Sequence, residues 1–221
     1  MNATIKTDSY DIILGNEALL AIESFLQDVA YSGHIFILTD ENTYENCIPQ
    51  LLRDAPSLEY ADIIKVANGE EQKNIDVCID IWSVLTNKGA DSQSLIVNLG
   101  GGMICELGAF VAATYSGGID FINIPTTLLS IISVSVGGNA SLNFDGIRNH
   151  IGFYVKPQRV FIYPEYLNTL DKRQLLSGYA EMLKYGISLD KELFEKLKKS
   201  DFDKAKSMEW VIYRTVTLKS D

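Results

Sequence analysis

Six short apolar runs rich in β-branched residues recur through the first three quarters of the chain, and stretches of helical spacing separate most of them. The runs are YDIILG (10–15), HIFILTD (34–40), ADIIKV (61–66), SLIVNLG (94–100), IDFINIP (119–125) and RVFIYP (159–164). Between the earlier ones, EALLAIESFL, ENTYENCIPQLLR, NIDVCIDIWSVLTNKG and ICELGAFVAATY repeat their apolar residues three and four apart, as helices with one buried stripe do. Strands alternating with helices build βαβ units, because a parallel neighbour can be reached only by a crossover. The pattern predicts an α/β fold with a doubly wound, mainly parallel sheet.

The texture changes after residue 125. A stretch of small residues, TTLLSIISVSVGGNASLNF, leads to the last apolar run, which Pro164 closes. Three helices are expected next, over 171–187, 190–199 and 201–219, with Asp171, Asp190 and Asp201 as their N-caps. The boundary is placed near residue 165, giving an α/β domain over 1–165 and the first helices of an α-helical domain over 166–221.

Charge narrows the partners. With 29 acidic against 19 basic residues, a net charge of −10 and no basic run longer than Lys198-Lys199, the chain lacks the footprint of a nucleic-acid binder. No apolar run approaches the roughly 20 residues that span a bilayer, and Met1 to Asp11 holds no signal-peptide core, so no membrane partner and a cytoplasmic location are expected. Cys47, Cys78 and Cys105 are widely spaced and form no C-x-x-C pair, so all three read as buried thiols.

The strongest local signal is LIVNLGGGMICELGAF, an apolar strand running through Gly100-Gly101-Gly102 into a helix. Glycines let backbone N–H groups approach an anion, and a helix N-terminus adds partial positive charge, so the segment reads as a phosphate cradle; a plain tight turn is the alternative. Glu70 and Lys73, in NGEEQK between a strand and a helix, could grip ribose hydroxyls and a phosphate, or simply pair with each other. Asp40 and Asn42 follow a strand at the end where open α/β sheets bind ligands, with helix capping as the plainer reading. Thr126 and Thr127 present two hydroxyls after IDFINIP, either for a ligand or for a cap. In SGYAEMLKYG, helical spacing puts Glu181, Lys184 and Tyr185 on one face, as a site or as a surface ion pair.

Taken in order, NGEEQK, the triple glycine, IDFINIPTTLL, SVGG, Arg148-Asn149, Ile151-Gly152, Leu167-Asn168-Thr169-Leu170 and SGYAEMLKYG make the chain resemble the 3-dehydroquinate synthase family of sugar phosphate cyclases, from about Ile35 to Lys219. The resemblance implies tightly bound NAD, a divalent metal (zinc or cobalt) and a small sugar phosphate, 3-deoxy-D-arabino-heptulosonate 7-phosphate, converted to 3-dehydroquinate in the shikimate pathway. Oxidation at one hydroxyl acidifies a neighbouring C–H, phosphate leaves, the hydride returns and the carbocycle closes. It also implies a homodimer, and the apolar strand IDFINIP is expected to be an edge that needs covering. A related cyclase with another substrate, and a non-catalytic nucleotide-binding protein, are the alternatives.

Carried over position by position, Asp40, Asn42, Glu70, Lys73, Gly101, Gly102, Met103, Thr126, Thr127 and Thr169 are the implied NAD contacts, with Glu106, Asn139 and Arg148 also on the cofactor side. Glu181 matches the metal-binding glutamate, and Lys184, Asn149, Arg148 and Lys219 the catalytic and substrate-side residues. Departures cluster at the substrate's anionic groups. Gly117 stands where the family has arginine, Ser133 where it has aspartate and Asn139 where it has lysine, while Glu106 replaces an aspartate and Arg148 a lysine. The family's two metal-binding histidines fall beyond Asp221 in its pattern; His34 reads as structural, and His150 stands where the family has an apolar or acidic residue.

Overall fold

The computed structural model describes residues 1–28, 31, 33–199 and 205–220. Its strands are β1 (Ala3–Lys6), β2 (Asp11–Leu14), β3 (Ile35–Asp40), β4 (Asp62–Val66), β5 (Leu95–Gly100), β6 (Asp120–Pro125), β7 (Asn139–Phe144), β8 (Ile147–Tyr154) and β9 (Arg159–Ile162). The helices are α1 (Leu20–Asp28), α2 (Glu41–Asn46), α3 (Ile48–Asp54), α4 (Ile75–Asn87), α5 (Gly102–Thr114), α6 (Leu128–Val134), α7 (Lys172–Ser188), α8 (Lys191–Leu197) and α9 (Ala205–Ser220).

Seven strands form one sheet in the order β1-β2-β9-β6-β5-β3-β4, parallel throughout except for β1, which returns antiparallel on β2. Alternation along β5 explains the two layers. Leu95, Val97 and Leu99 face α1 and α3 with Ile22, Phe25 and Leu51, whereas Ile96 faces α4 and α5 with Ile81 and Leu107. A third core joins Ile12 and Val160 of the sheet to Leu128 and Ile131 of α6, Met182 of α7 and Val211 and Ile212 of α9. Chain order reverses between β3 and β5, since β4 lies on one side of β3 and β5 on the other. Ligands of open α/β sheets bind outside the carboxyl ends of the strands at such a switch point.

Several expectations need correction. IDFINIP is no edge: β6 is bonded on both sides, to β5 and β9, and the sheet's edges are β1 and β4. The argument for a dimer from that strand therefore falls. ENTYENCIPQLLR is two helices, because Pro49 sits in the first turn of α3 and has no N–H to continue α2 through Cys47. The stretch after residue 136 holds a β-hairpin, β7 with β8, whose turn at Asp145 and Gly146 has φ of 50° and 74°. Asp171 and Asp190 do cap α7 and α8, accepting from the N–H groups of Gln174 and Leu193, and Asp201 lies outside the described residues.

All three cysteines are free and buried. Burial pushes the Cys47 and Cys78 thiols up to about 12, and Cys105 is raised as well, first by burial and then by Glu106. Since the thiolate is the reactive form, the native protein at pH 8 is expected to resist iodoacetamide while the urea-unfolded protein labels at all three sites. Mass spectrometry of the two samples checks this, and rapid native labelling would contradict it.

Candidate functional site

A cleft of about 270 Å³ opens at the switch point, lined among others by Asp40, Asn42, Gly101, Thr126, Thr127 and Thr169. Each comes from the carboxyl end of a strand or the segment after it: β3 gives Asp40 and Asn42, β5 gives Gly101, β6 gives the threonine pair, and a 3-10 turn over Pro164–Thr169 gives Thr169. Three of these side chains also hold local structure. The Asp40 carboxylate caps α2 by accepting from Thr43 N–H and Oγ1, both at 2.8 Å. Thr127 forms a capping box with Ser130 at α6, and Thr169 Oγ1 donates to the Tyr166 carbonyl at 2.7 Å. The plainer capping readings of Asp40 and Thr127 thus hold beside any ligand role.

Thr126 differs. Its side chain is buried and its Oγ1 has no hydrogen-bond partner, although it lines the cleft. A buried hydroxyl left unpaired costs about 1–3 kcal/mol, so the geometry favours a polar ligand there. The glycine turn offers matching room. At Gly102, the first residue of α5, a Cβ would meet no atom within 4 Å, and the N-cap is Gly101, so no side chain covers the helix's first amides. These features fit a dinucleotide phosphate.

One helical turn further along α5, a second cluster forms around Lys73, whose side chain is 3% exposed. Its ammonium lies 2.9 Å from Glu70 and 2.7 Å from Glu106 and donates to Asn149 Oδ1. Ser141 Oγ lies 3.1 Å from Glu106 and 3.0 Å from Asn149 Oδ1, and accepts from Asn139 Nδ2 at 3.1 Å. Asn143 completes the cluster: Nδ2 donates to the Glu70 carbonyl at 2.9 Å, and Oδ1 accepts from Asn149 N–H at 3.0 Å. Asn149, with φ of 51°, sits in the left-handed region that asparagine tolerates best after glycine. Five residues that the sequence singled out meet here, whereas Ser141 and Asn143 were missed. The Asp145-Gly146 turn signal, which implies a hairpin around it, could have pointed to both.

The third group gathers beside α6. Glu181 and Lys184 of α7 form an ion pair, which raises the Lys184 pKa, so the ion-pair reading holds. Lys219 of α9 donates to the backbone carbonyls of Ile132 at 3.0 Å and Ser133 at 2.6 Å. Two residues fall outside these clusters. Met103 is partly buried against the core under α4 and α5, and Arg148 is exposed on β8. Gly117 also departs from expectation, because it lies in the turn before β6, about 20 Å of strand away from the cleft. His34 is structural as read, placed between Asp62 at 2.8 Å and the Lys88 carbonyl at 3.1 Å.

A metal does not fit what is present. Among the described residues no group of three or more His, Cys, Asp or Glu side chains can hold an ion, and Glu181 is occupied by Lys184. Stable protein metal sites need three or four ligands.

Residues 63–177, just over half of the chain, match the family model described as 3-dehydroquinate synthase N-terminal. The 3-dehydroquinate synthase of Parabacteroides distasonis is 40% identical over 192 residues, which is 87% of this chain and 54% of that protein. The chain belongs to the 3-dehydroquinate synthase family. A crystal structure of 2-deoxy-scyllo-inosose synthase complexed with carbaglucose-6-phosphate, NAD+ and Co2+ shares the fold at TM-score 0.86 and 21% identity, covering 100% of this chain and 62% of that one. A 2-epi-5-epi-valiolone synthase from Streptomyces hygroscopicus with NAD+ and Zn2+ bound superposes at TM-score 0.81 with 25% identity, covering 97% and 61%. The chain spans about half to three fifths of the length of these relatives. Among the described residues, no helix is long and apolar enough to cross a membrane.

Proposed function

We propose that this chain is the NAD-binding part of a 3-dehydroquinate synthase, acting in phosphate elimination and cyclisation of 3-deoxy-D-arabino-heptulosonate 7-phosphate. The observation that carries the reading is the unpartnered Thr126 hydroxyl in a cleft bordered by the uncovered amides of Gly101 and Gly102. In this reading the α5 amides receive the pyrophosphate, Thr126 and Thr127 flank it, and Asp40 and Asn42 face a ribose. Lys73, held by Glu70 and Glu106, turns Asn149 toward the reacting end. NAD, when bound, supplies transient oxidation of one substrate hydroxyl. Residues 1–165 hold the cofactor, and 166–221 are the first helices of the substrate domain carrying Glu181, Lys184 and Lys219. A cytoplasmic homodimer belongs to the same proposal: the exposed apolar residues Phe144, Ile147, Ile151 and Phe153 of the hairpin support a covered surface. Light scattering at micromolar concentration is expected to give twice 24.6 kDa, and a monomer would remove this part.

Calorimetric titration with NAD tests the cofactor reading. Heat of binding is expected for the wild-type chain, and its absence at millimolar NAD would sink the proposal. Gly102→Val should weaken binding by at least about tenfold with little change in Tm, because its side chain enters open space in the protein and occupied space in the complex. Thr126→Val should leave stability equal or about 1 kcal/mol higher while weakening NAD, since it deletes a hydroxyl that the free protein leaves unpaired. Loss of stability in Thr126→Val would show that the hydroxyl serves the fold.

A further inference from the structure

We infer that Lys219 is a positioning residue, anchoring α6 from its carboxyl end and through it the Thr126-Thr127 wall of the cleft. The inference rests on the NAD reading above. Helix α6 has seven residues and is about 10 Å long, so its two ends cannot move independently. One end begins at Thr127, beside Thr126, in the cleft. At the other, the last carbonyls of a helix need donors from outside it. The C-cap, Ser135, does not provide one through its side chain, whose buried hydroxyl has no partner. The chain then runs into Gly137 and Gly138, both at positive φ, which hold the end loosely.

Lys219 fills that gap. Its ammonium donates to Ile132 O and Ser133 O, directing two of its three protons at the orphan end of α6. A cation at a helix carboxyl end also opposes the macrodipole. The stem is fixed from behind, since Val216 and Ile212 of α9 share a core with Ile131 and Ile132. Glu181 and Lys184 of α7 face the same ammonium, which burial makes easier to deprotonate and Glu181 makes harder. On the flank, α7 presses Gly178 onto α6 so closely that a Cβ there would lie 2.5 Å from Leu128 Cβ. Helix α6 is thus clamped along one side by α7 and pinned at its end by Lys219.

Hydrogen exchange and NAD titration of Lys219→Met and Lys219→Arg test this on the full chain. In Lys219→Met, amides of α6 should exchange about tenfold faster than in wild type while those of α5 stay unchanged, and Lys219→Arg, which keeps charged donors, should restore most of the protection. NAD should bind Lys219→Met about tenfold more weakly, and the same substitution in a Thr126→Val background should cost far less, because the two act through one element. Unchanged exchange in α6, loosening spread equally over α5, or loosening that arginine does not repair would overturn the inference. Should Lys219→Met not fold, Lys219→Gln carries the same measurements. If wild type binds no NAD, the cofactor reading fails by itself, and exchange still decides whether Lys219 pins α6.

Discussion

Replacing Lys73 with methionine is expected to lower the unfolding free energy by about 3–5 kcal/mol, the usual cost of removing one partner from a buried ion pair. Methionine keeps most of the stem, so little packing is lost and the effect is electrostatic. Glu106, with a side chain 14% exposed, would keep only Ser141 as a hydrogen-bond partner, and Asn149 would lose the donor that holds its carbonyl. Glu70 is 35% exposed and can turn to water, so its share is small. For a chain of this size the loss corresponds to roughly 10 °C or more in Tm. Urea unfolding measures it directly. The double variant Lys73→Met/Glu106→Leu should recover more than half of the loss, because removing both charges leaves neither stranded. A single-variant loss below about 1 kcal/mol would mean that the cluster is hydrated and does not organise the site.

The second large effect concerns turnover. Assayed alone with NAD and zinc or cobalt supplied, this chain is expected to release phosphate from 3-deoxy-D-arabino-heptulosonate 7-phosphate no faster than its own Glu181→Ala variant. Glu181 is paired with Lys184, and no other described residues join it in a set of metal donors. The anion side is short of charge too. Asn139 spends its amide on Ser141, and Gly117 lies in a turn at the far end of β6. Each lost charge-assisted contact costs about 1.5–3 kcal/mol, so two predict transition-state binding weaker by roughly a hundredfold to ten-thousandfold if they add. A rate clearly above the control would show that other residues hold the ion and the phosphate. Rates at the control, with NAD still bound, would favour a nucleotide-binding protein without turnover.

What the sequence made legible follows from burial. The core strands announced themselves because both faces of β3, β5 and β6 are covered, leaving continuous apolar runs such as FILT and LIVNLG. The hairpin stayed hidden for the opposite reason: every residue of β8 is exposed, so its sequence carries no burial pattern, and only Asp145-Gly146 marks it. Strand β1 was missed because four residues at an edge leave little signal. At the site, segments following strands could be read locally, which recovered Asp40, Gly101, Thr126 and Thr127. The meeting of Lys73 with Glu106 and Asn149 could not, because residues 33 and 76 positions apart are joined only by the finished fold. Thr126 and Thr127 looked equivalent as neighbours, yet one caps a helix and the other has an unpaired hydroxyl.

The hairpin that supplies Ser141, Asn143 and Asn149 forms a separate two-stranded sheet, bonded within itself and not laddered to the seven-stranded one. Its outer strand is exposed along its whole length. Mutations accumulating there meet weak purifying pressure from folding, so a lineage can trial new side chains against the reacting end of the site while the nucleotide-binding framework is inherited unchanged. The charge replacement at Asn139, at the root of that hairpin, is the kind of drift such an arrangement permits.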